Sequence, residues 1–252
     1  MHYLCKHECV YNMERNSLSY ILTRFLEAIN RGNDAGESSS FVQAIVGIFN
    51  HISWDRHLPP FVFTFLLNEE GTNNVINRLK KELYNTGIAD IDRLNTPITY
   101  LLDEFICNIQ QHSKANCGYA YLAVDETGNA IDLIIADPGI TIYGSYVSAQ
   151  KYLDLIGNSD AAAIGLAQNG YSTKNLPNAE NRGYGISSNI QMVVKGLHGE
   201  LAIMSGNALL AYVNGTVKLL SLPKEVDFQG TMIVVRIPSV IAENFNLYDF
   251  IG

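Results

Sequence analysis

The chain has 252 residues, enough for one full hydrophobic core or for a core domain with an extension. Hydrophobic residues make up 47% and charged residues 17%, a globular and not a disordered composition. A net charge of -8 provides no basic field for a nucleic-acid backbone, although a local phosphate site built from backbone amides and one or two cations stays open. No apolar run approaches the ~18 residues of a membrane span. The first residues lack the basic-then-apolar pattern of a signal peptide, and four cysteines make no disulfide framework, so the expected compartment is a reducing cytoplasm.

Cys5, His7 and Cys9 are ligand-type residues, but no second pair follows at zinc-site spacing. Asn16 and Ser17 can cap a helix with Leu18, Ile21, Leu22, Phe25, Leu26 and Ile29 on one face, ended by Gly32. A second helix carries Phe41, Val42, Ile45, Ile48, Phe49 and Ile52. Together they predict a helical extension over 1–57 that packs on the remainder or pairs two copies in a homodimer. Pro59-Pro60 marks the boundary to a domain over 58–252.

A buried strand is predicted at 61–67, then a helix from Gly71 to Tyr84. Thr96 and Pro97 predict the cap and first position of a helix reaching about Ser113. Within it Glu104, Asn108 and His112 recur every four residues, a polar stripe among Leu101, Leu102, Phe105, Ile106 and Ile109. Two readings fit: a solvated stripe, or a phosphate or metal site with a carboxylate base beside an amide that ligates a hard cation. His112 also stands at the helix end, where a cation is favoured. Cys107 reads as a small buried residue.

Strands follow at 118–124 and 130–136. Asp137-Pro138-Gly139 ends the second, where Gly139 would let a ligand approach the backbone or would simply make a turn. The stretch 142–181, rich in Ala, Gly, Ser and Asn, reads as irregular; a connection of that length suits an active-site lid. Its tyrosines Tyr143, Tyr146 and Tyr171 could stack on a ligand, though packing is their commoner fate. Gly183-Tyr184-Gly185 leads into a helix at Ile186, placing unpaired amides before a helix N-terminus, an arrangement suited to an anion. That helix stops at Gly196, and strands are predicted at 201–204, 209–213, 217–220 and 232–237, the last preceded by Gly230-Thr231. The fold class is α+β: a mixed sheet with helices on one face.

In this order the segments resemble the nucleotide-binding boxes of the GHKL superfamily (gyrase, heat-shock chaperone, histidine kinase and MutL ATPases). Glu104 to His112 looks like the N box, Asp137-x-Gly139 the G1 box, Gly183-x-Gly185 the G2 box, and Gly230-Thr231 the final pair. The likeness spans about 60–238 and is nearest to anti-sigma-factor serine kinases, whose lid carries a Thr-Thr-Lys element matched here by Ser172-Thr173-Lys174. The chain departs at Thr141, where the G1 pattern often has a second glycine. The resemblance implies a Bergerat-type ATP-binding sandwich with a lid at about 142–182. It implies Mg2+ on Asn108, Glu104 as the group polarising the attacking hydroxyl or water, and Asp137, with Gly139 and Thr231, at the adenine. It further implies amides of Gly183 and Gly185 at the phosphates, and Thr173, Lys174 and Arg182 as lid residues near them.

The expected function is an ATP- and magnesium-binding regulatory protein of bacterial type that phosphorylates a protein partner on serine or threonine. The alternative is an ATPase, an ATP-gated switch or a binding module without phosphotransfer. A sensor histidine kinase fits less well, because Ile52 follows His51 where the phosphoacceptor box usually has an acidic residue.

Overall fold

The computed structural model describes residues 62–124, 128–173, 185–222 and 228–250. The helical pair expected in 1–57 lies outside them. Seven strands form one sheet: β1 (Val62–Leu66), β2 (Cys117–Val124), β3 (Ala130–Asp137), β4 (Glu200–Gly206), β5 (Ala208–Val213), β6 (Thr216–Ser221) and β7 (Phe228–Pro238). Their spatial order is β1-β2-β3-β7-β4-β5-β6. Every pairing is antiparallel, so the α+β class holds while the expected mixed sheet does not. Sequence periodicity says which residues are strand, but strand direction depends on where the last strand inserts. Here β7 enters between β3 and β4, far from both in sequence.

Helix α1 (Glu69–Asn85) starts ahead of the predicted Gly71, because Asn68 caps it by accepting the Gly71 N–H at 2.7 Å. Its Val75, Ile76, Leu79 and Leu83 are buried. Helix α2 (Ile91–His112) also starts early, and Pro97 lies inside it instead of at its first position. An interior proline removes one N–H bond and crowds the carbonyl four residues back. Tertiary anchors hold the extra turn: Arg93 donates to the carbonyls of Ile241 and Ala242 at 3.2 and 2.7 Å, Asp90 accepts the Ile241 N–H, and Leu94 and Ile98 are wholly buried.

The stretch expected to be irregular contains three helices, α3 (Ile142–Ala149), α4 (Leu153–Ile156) and α5 (Asp160–Gln168). Thr141 and Ser159 cap α3 and α5 by accepting the N–H groups of Gly144 and Ala162 at 3.0 and 3.1 Å. Tyr146, Ile156 and Ala163 form a small core of their own, and α5 lies on the sheet with Gly165 against Leu219. Periodicity does not flag α3 and α5 because Ala, Gly and Ser occupy both their faces, and α4 is a single turn too short to show a period. The expected lid is therefore folded protein over 142–173; 174–182 lie outside the described residues. Beyond them α6 (Ile186–Gln191) passes into a π-helical turn (Met192–Gly196), whose Gly196 abuts the stacked rings of Phe245 and Phe250.

Helices α1, α2, α5 and α6 contribute to one cluster with Leu133, Ile135, Ile203, Ile233 and Val235 of the sheet. The alternate residues Ile134, Met204, Leu209, Met232 and Val234 are buried on the other face. At the centre, Gly230 holds φ at +126°, and a Cβ there would lie 1.9 Å from the carbonyl oxygen of Asp137. Gly230→Ala should cost about 3 kcal/mol or more, combining overpacking with a backbone conformation closed to alanine. Urea unfolding of both proteins checks this; a loss below about 1 kcal/mol would show that β7 sits further from β3.

Candidate functional site

A cavity of about 410 Å³ opens between α2, α3, the segment before residue 174, the start of α6 and the ends of β3 and β7. That lies in the range of roughly 300–1,000 Å³ typical of small-molecule sites. Glu104, Asn108, His112, Asp137, Thr173, Gly185 and Thr231 line it, with Phe105, Ile109, Ile140, Tyr146 and Ile233 among its apolar walls. Five separate stretches of sequence thus meet in one hollow, and the polar stripe of α2 faces that hollow. The stripe is therefore half-buried in a concave wall and not on an open helix face.

The Nδ2 of Asn108 is buried without a hydrogen-bond partner among the described residues. A buried amide left unpaired costs about 1–3 kcal/mol, a penalty that functional sites retain. Gly185 comes close: a Cβ there would stand 3.5 Å from both terminal atoms of Asn108, so any side chain would narrow the cavity at that point. His112 is the last residue of α2, the helix end where it was expected. Its Nδ1 lies 3.1 Å from the Thr173 hydroxyl, which is 3.3 Å from the Ser145 hydroxyl, so the chain before residue 174 is pinned across the cavity. Tyr146 strengthens that strap by donating its hydroxyl to the Tyr171 carbonyl at 2.5 Å, and Tyr152 packs edge-on against both rings. Tyr143 bonds Asn158 instead and does not line the cavity.

Asp137 is 2% exposed at the end of β3. Burial pushes its carboxyl up from an ordinary 3.8 to about 7, against the opposing pull of N–H groups from Gly139 and Thr231. Gly139 does not line the cavity. It donates to Asp137 Oδ1 at 2.9 Å, and a Cβ on it would lie 2.0 Å from the Ser113 carbonyl oxygen. What approaches its backbone is therefore the end of α2, not a ligand.

Sequence reasoning missed Ser205. This fully buried hydroxyl donates to the Gly230 carbonyl at 2.9 Å, accepts the Ile142 N–H at 2.8 Å and lies 3.2 Å from the Thr231 hydroxyl. It joins β4, β7 and α3 beneath the site; its signal was a lone hydroxyl in an apolar strand. Cys107, expected to be buried, is exposed on α2.

Lys174, Arg182, Gly183 and the Cys5, His7, Cys9 group lie outside the described residues. Among the described residues no cluster of three His, Cys, Asp or Glu could hold a metal, and no helix is long and apolar enough to cross a membrane. Magnesium, which keeps several waters and takes one or two protein oxygens plus phosphate oxygens, needs no such cluster, and the Asn108 side chain fits that habit. No family model, curated protein or solved structure matches this chain.

The raised Asp137 carboxyl makes stability depend on pH. The folded chain holds a proton that the unfolded chain releases above 3.8, so this contribution is full below that value and is lost as pH rises through about 7. Between pH 5 and pH 8 the chain should lose about 2–3 kcal/mol through this group. Asp137→Asn should lack that loss, so urea titrations at both pH values ought to show the variant gaining on the parent as pH rises. Parallel pH profiles would mean that Asp137 is solvated.

Proposed function

We propose that this cavity binds ATP with Mg2+ and that the protein is a regulatory kinase of the histidine-kinase-like ATPase type, acting on a serine or threonine of a protein partner. One observation supports it above the others. A buried carboxylate, paired across strands with Thr231, and an unpaired amide beside a carboxylate and a glycine backbone line a single hollow.

On this reading Asp137 accepts a hydrogen bond from the adenine amino group while the Thr231 hydroxyl stands beside it. Asn108 and the Gly185 backbone face the phosphates. Magnesium, when bound, neutralises phosphate charge and holds the outer phosphates in line. Glu104 takes the proton of the attacking hydroxyl as its oxygen bonds to the terminal phosphorus and the bond to the bridging oxygen breaks, releasing ADP. With water in place of the hydroxyl the same steps give an ATPase. The Thr173–His112 bond favours a switch as the second reading, because a strap fixed by hydrogen bonds can be released or tightened by a ligand's phosphates.

Calorimetric titration with ATP and Mg2+ tests the site. Asp137→Asn should weaken binding at least tenfold, and the parent's affinity should rise about tenfold from pH 6 to pH 8, because adenine's donor selects the ionised carboxylate. Glu104→Ala should keep binding and lose turnover by about 100-fold or more. Labelled ATP separates the outcomes: label on a partner protein means kinase, free phosphate means ATPase, and neither means a switch. Unchanged turnover in Glu104→Ala would remove Glu104 from the chemistry; absence of nucleotide binding to the parent would end the proposal.

A further inference from the structure

Asn189 on α6 is 0% exposed, and neither its Oδ1 nor its Nδ2 has a hydrogen-bond partner among the described residues. A fully buried amide with both ends unpaired is costly in any core, and apolar Ile190, Met192 and Val193 follow it directly. Its place on the helix gives a reason. The Asn189 N–H bonds the Gly185 carbonyl at 3.2 Å, so one helical turn separates the two residues. Gly185 and Ile186, which precede it by four and three positions, both line the cavity. Asn189 therefore stands on the cavity-facing side of α6, one layer below the lining. Residues four apart on a helix place their side chains about 5–6 Å from each other, the span of one water bridging two polar groups. The atom that a Gly185 side chain would touch is the unpaired amide of Asn108, at 3.5 Å. One orphaned amide thus meets Gly185 from α2, and another sits one helical turn beyond it on α6. Just beyond, the helix widens into its π-helical turn, a local defect frequent at functional sites.

The geometry points to Asn189 as a positioning residue for Asn108, linked to it through a buried water between α6 and α2, so that the Asn108 Oδ1 is held toward the cavity. This rests on the reading of Asn108 as the magnesium-facing group and adds the residue behind it. Outer partners of this kind typically change metal affinity by 10–100-fold while touching neither metal nor substrate.

Asn189→Leu is the test, because it keeps the volume and removes both polar ends. A residue serving only the core would make this change neutral or stabilising and leave the site alone. The expected result is a melting temperature equal to or above the parent's, shifted side-chain amide resonances of Asn108, and an apparent Mg2+ affinity in the nucleotide complex at least tenfold weaker. Nucleotide binding without Mg2+ should stay within twofold. Asn189→Asp, which keeps oxygen acceptors, should restore most of the Mg2+ dependence. Unmoved Asn108 amide resonances in Asn189→Leu overturn the inference, and that readout needs no nucleotide. Should the parent bind no nucleotide while those resonances do shift, the link between the amides stands and the ATP reading is what fails. If Asn189→Leu does not fold, Asn189→Ala, which also removes both polar ends, carries the comparison, and unchanged Asn108 resonances with unchanged Mg2+ affinity there overturn the inference.

Discussion

The site depends on the pairing of β3 with β7. Asp137 lies opposite Thr231, and the backbone of Gly230 passes so near the Asp137 carbonyl that no side chain fits between them. This contact delivers an N–H to the carboxylate from the neighbouring strand while Gly139 delivers another from its own turn. Two donors would favour the ionised form, yet burial outweighs them and holds the proton to about pH 7. A carboxyl group so placed is an unstable compromise for a folding core and a responsive one for a ligand with a hydrogen bond to donate.

The unpaired Nδ2 of Asn108 adds the same kind of cost at the cavity wall, and Asn189 adds it one helical turn beyond Gly185. Local rules of foldability are broken at the buried Asp137 and Asn189 and at the buried Nδ2 of Asn108, departures of the kind found at functional sites. The surrounding structure supplies the stability that permits it. Helix α2 is wholly apolar where it meets the sheet, through Leu94, Ile98, Leu101, Leu102 and Ile106. Its first turn is clamped by Arg93 and Asp90 onto the chain after β7. A helix held at both ends and along one side can carry Glu104, Asn108 and His112 at fixed positions.

Much of this was legible in the residues. The stripe on α2 is visible because helical spacing repeats every three to four positions, and Asp137 is visible because it follows the apolar run Leu133 to Ala136. Helices α3 to α5 were not, since Ala, Gly and Ser carry no face and the capping roles of Thr141 and Ser159 are recognisable only once the helices exist. Pro97 misled for a related reason: its preference for a helix start is local, whereas the anchors that extend α2 past it come from residues some 150 positions away. Ser205 was missed and Cys107 misread because neither spacing nor composition states which way a single side chain faces.

Taken alone, the sequence determined the α+β class, most strand and helix positions, and the residue types facing the cavity, because these follow from periodicity and from the chemistry of each side chain. Tertiary structure decided the all-antiparallel order, the folded character of 142–168, the role of Gly139 as a packing contact and the strap from Tyr171 to Thr173 over the hollow. The reason is the range of the forces involved. Burial preference is written into each residue, while close approach and hydrogen-bond partnership belong to pairs that meet only when the last strand closes the sheet.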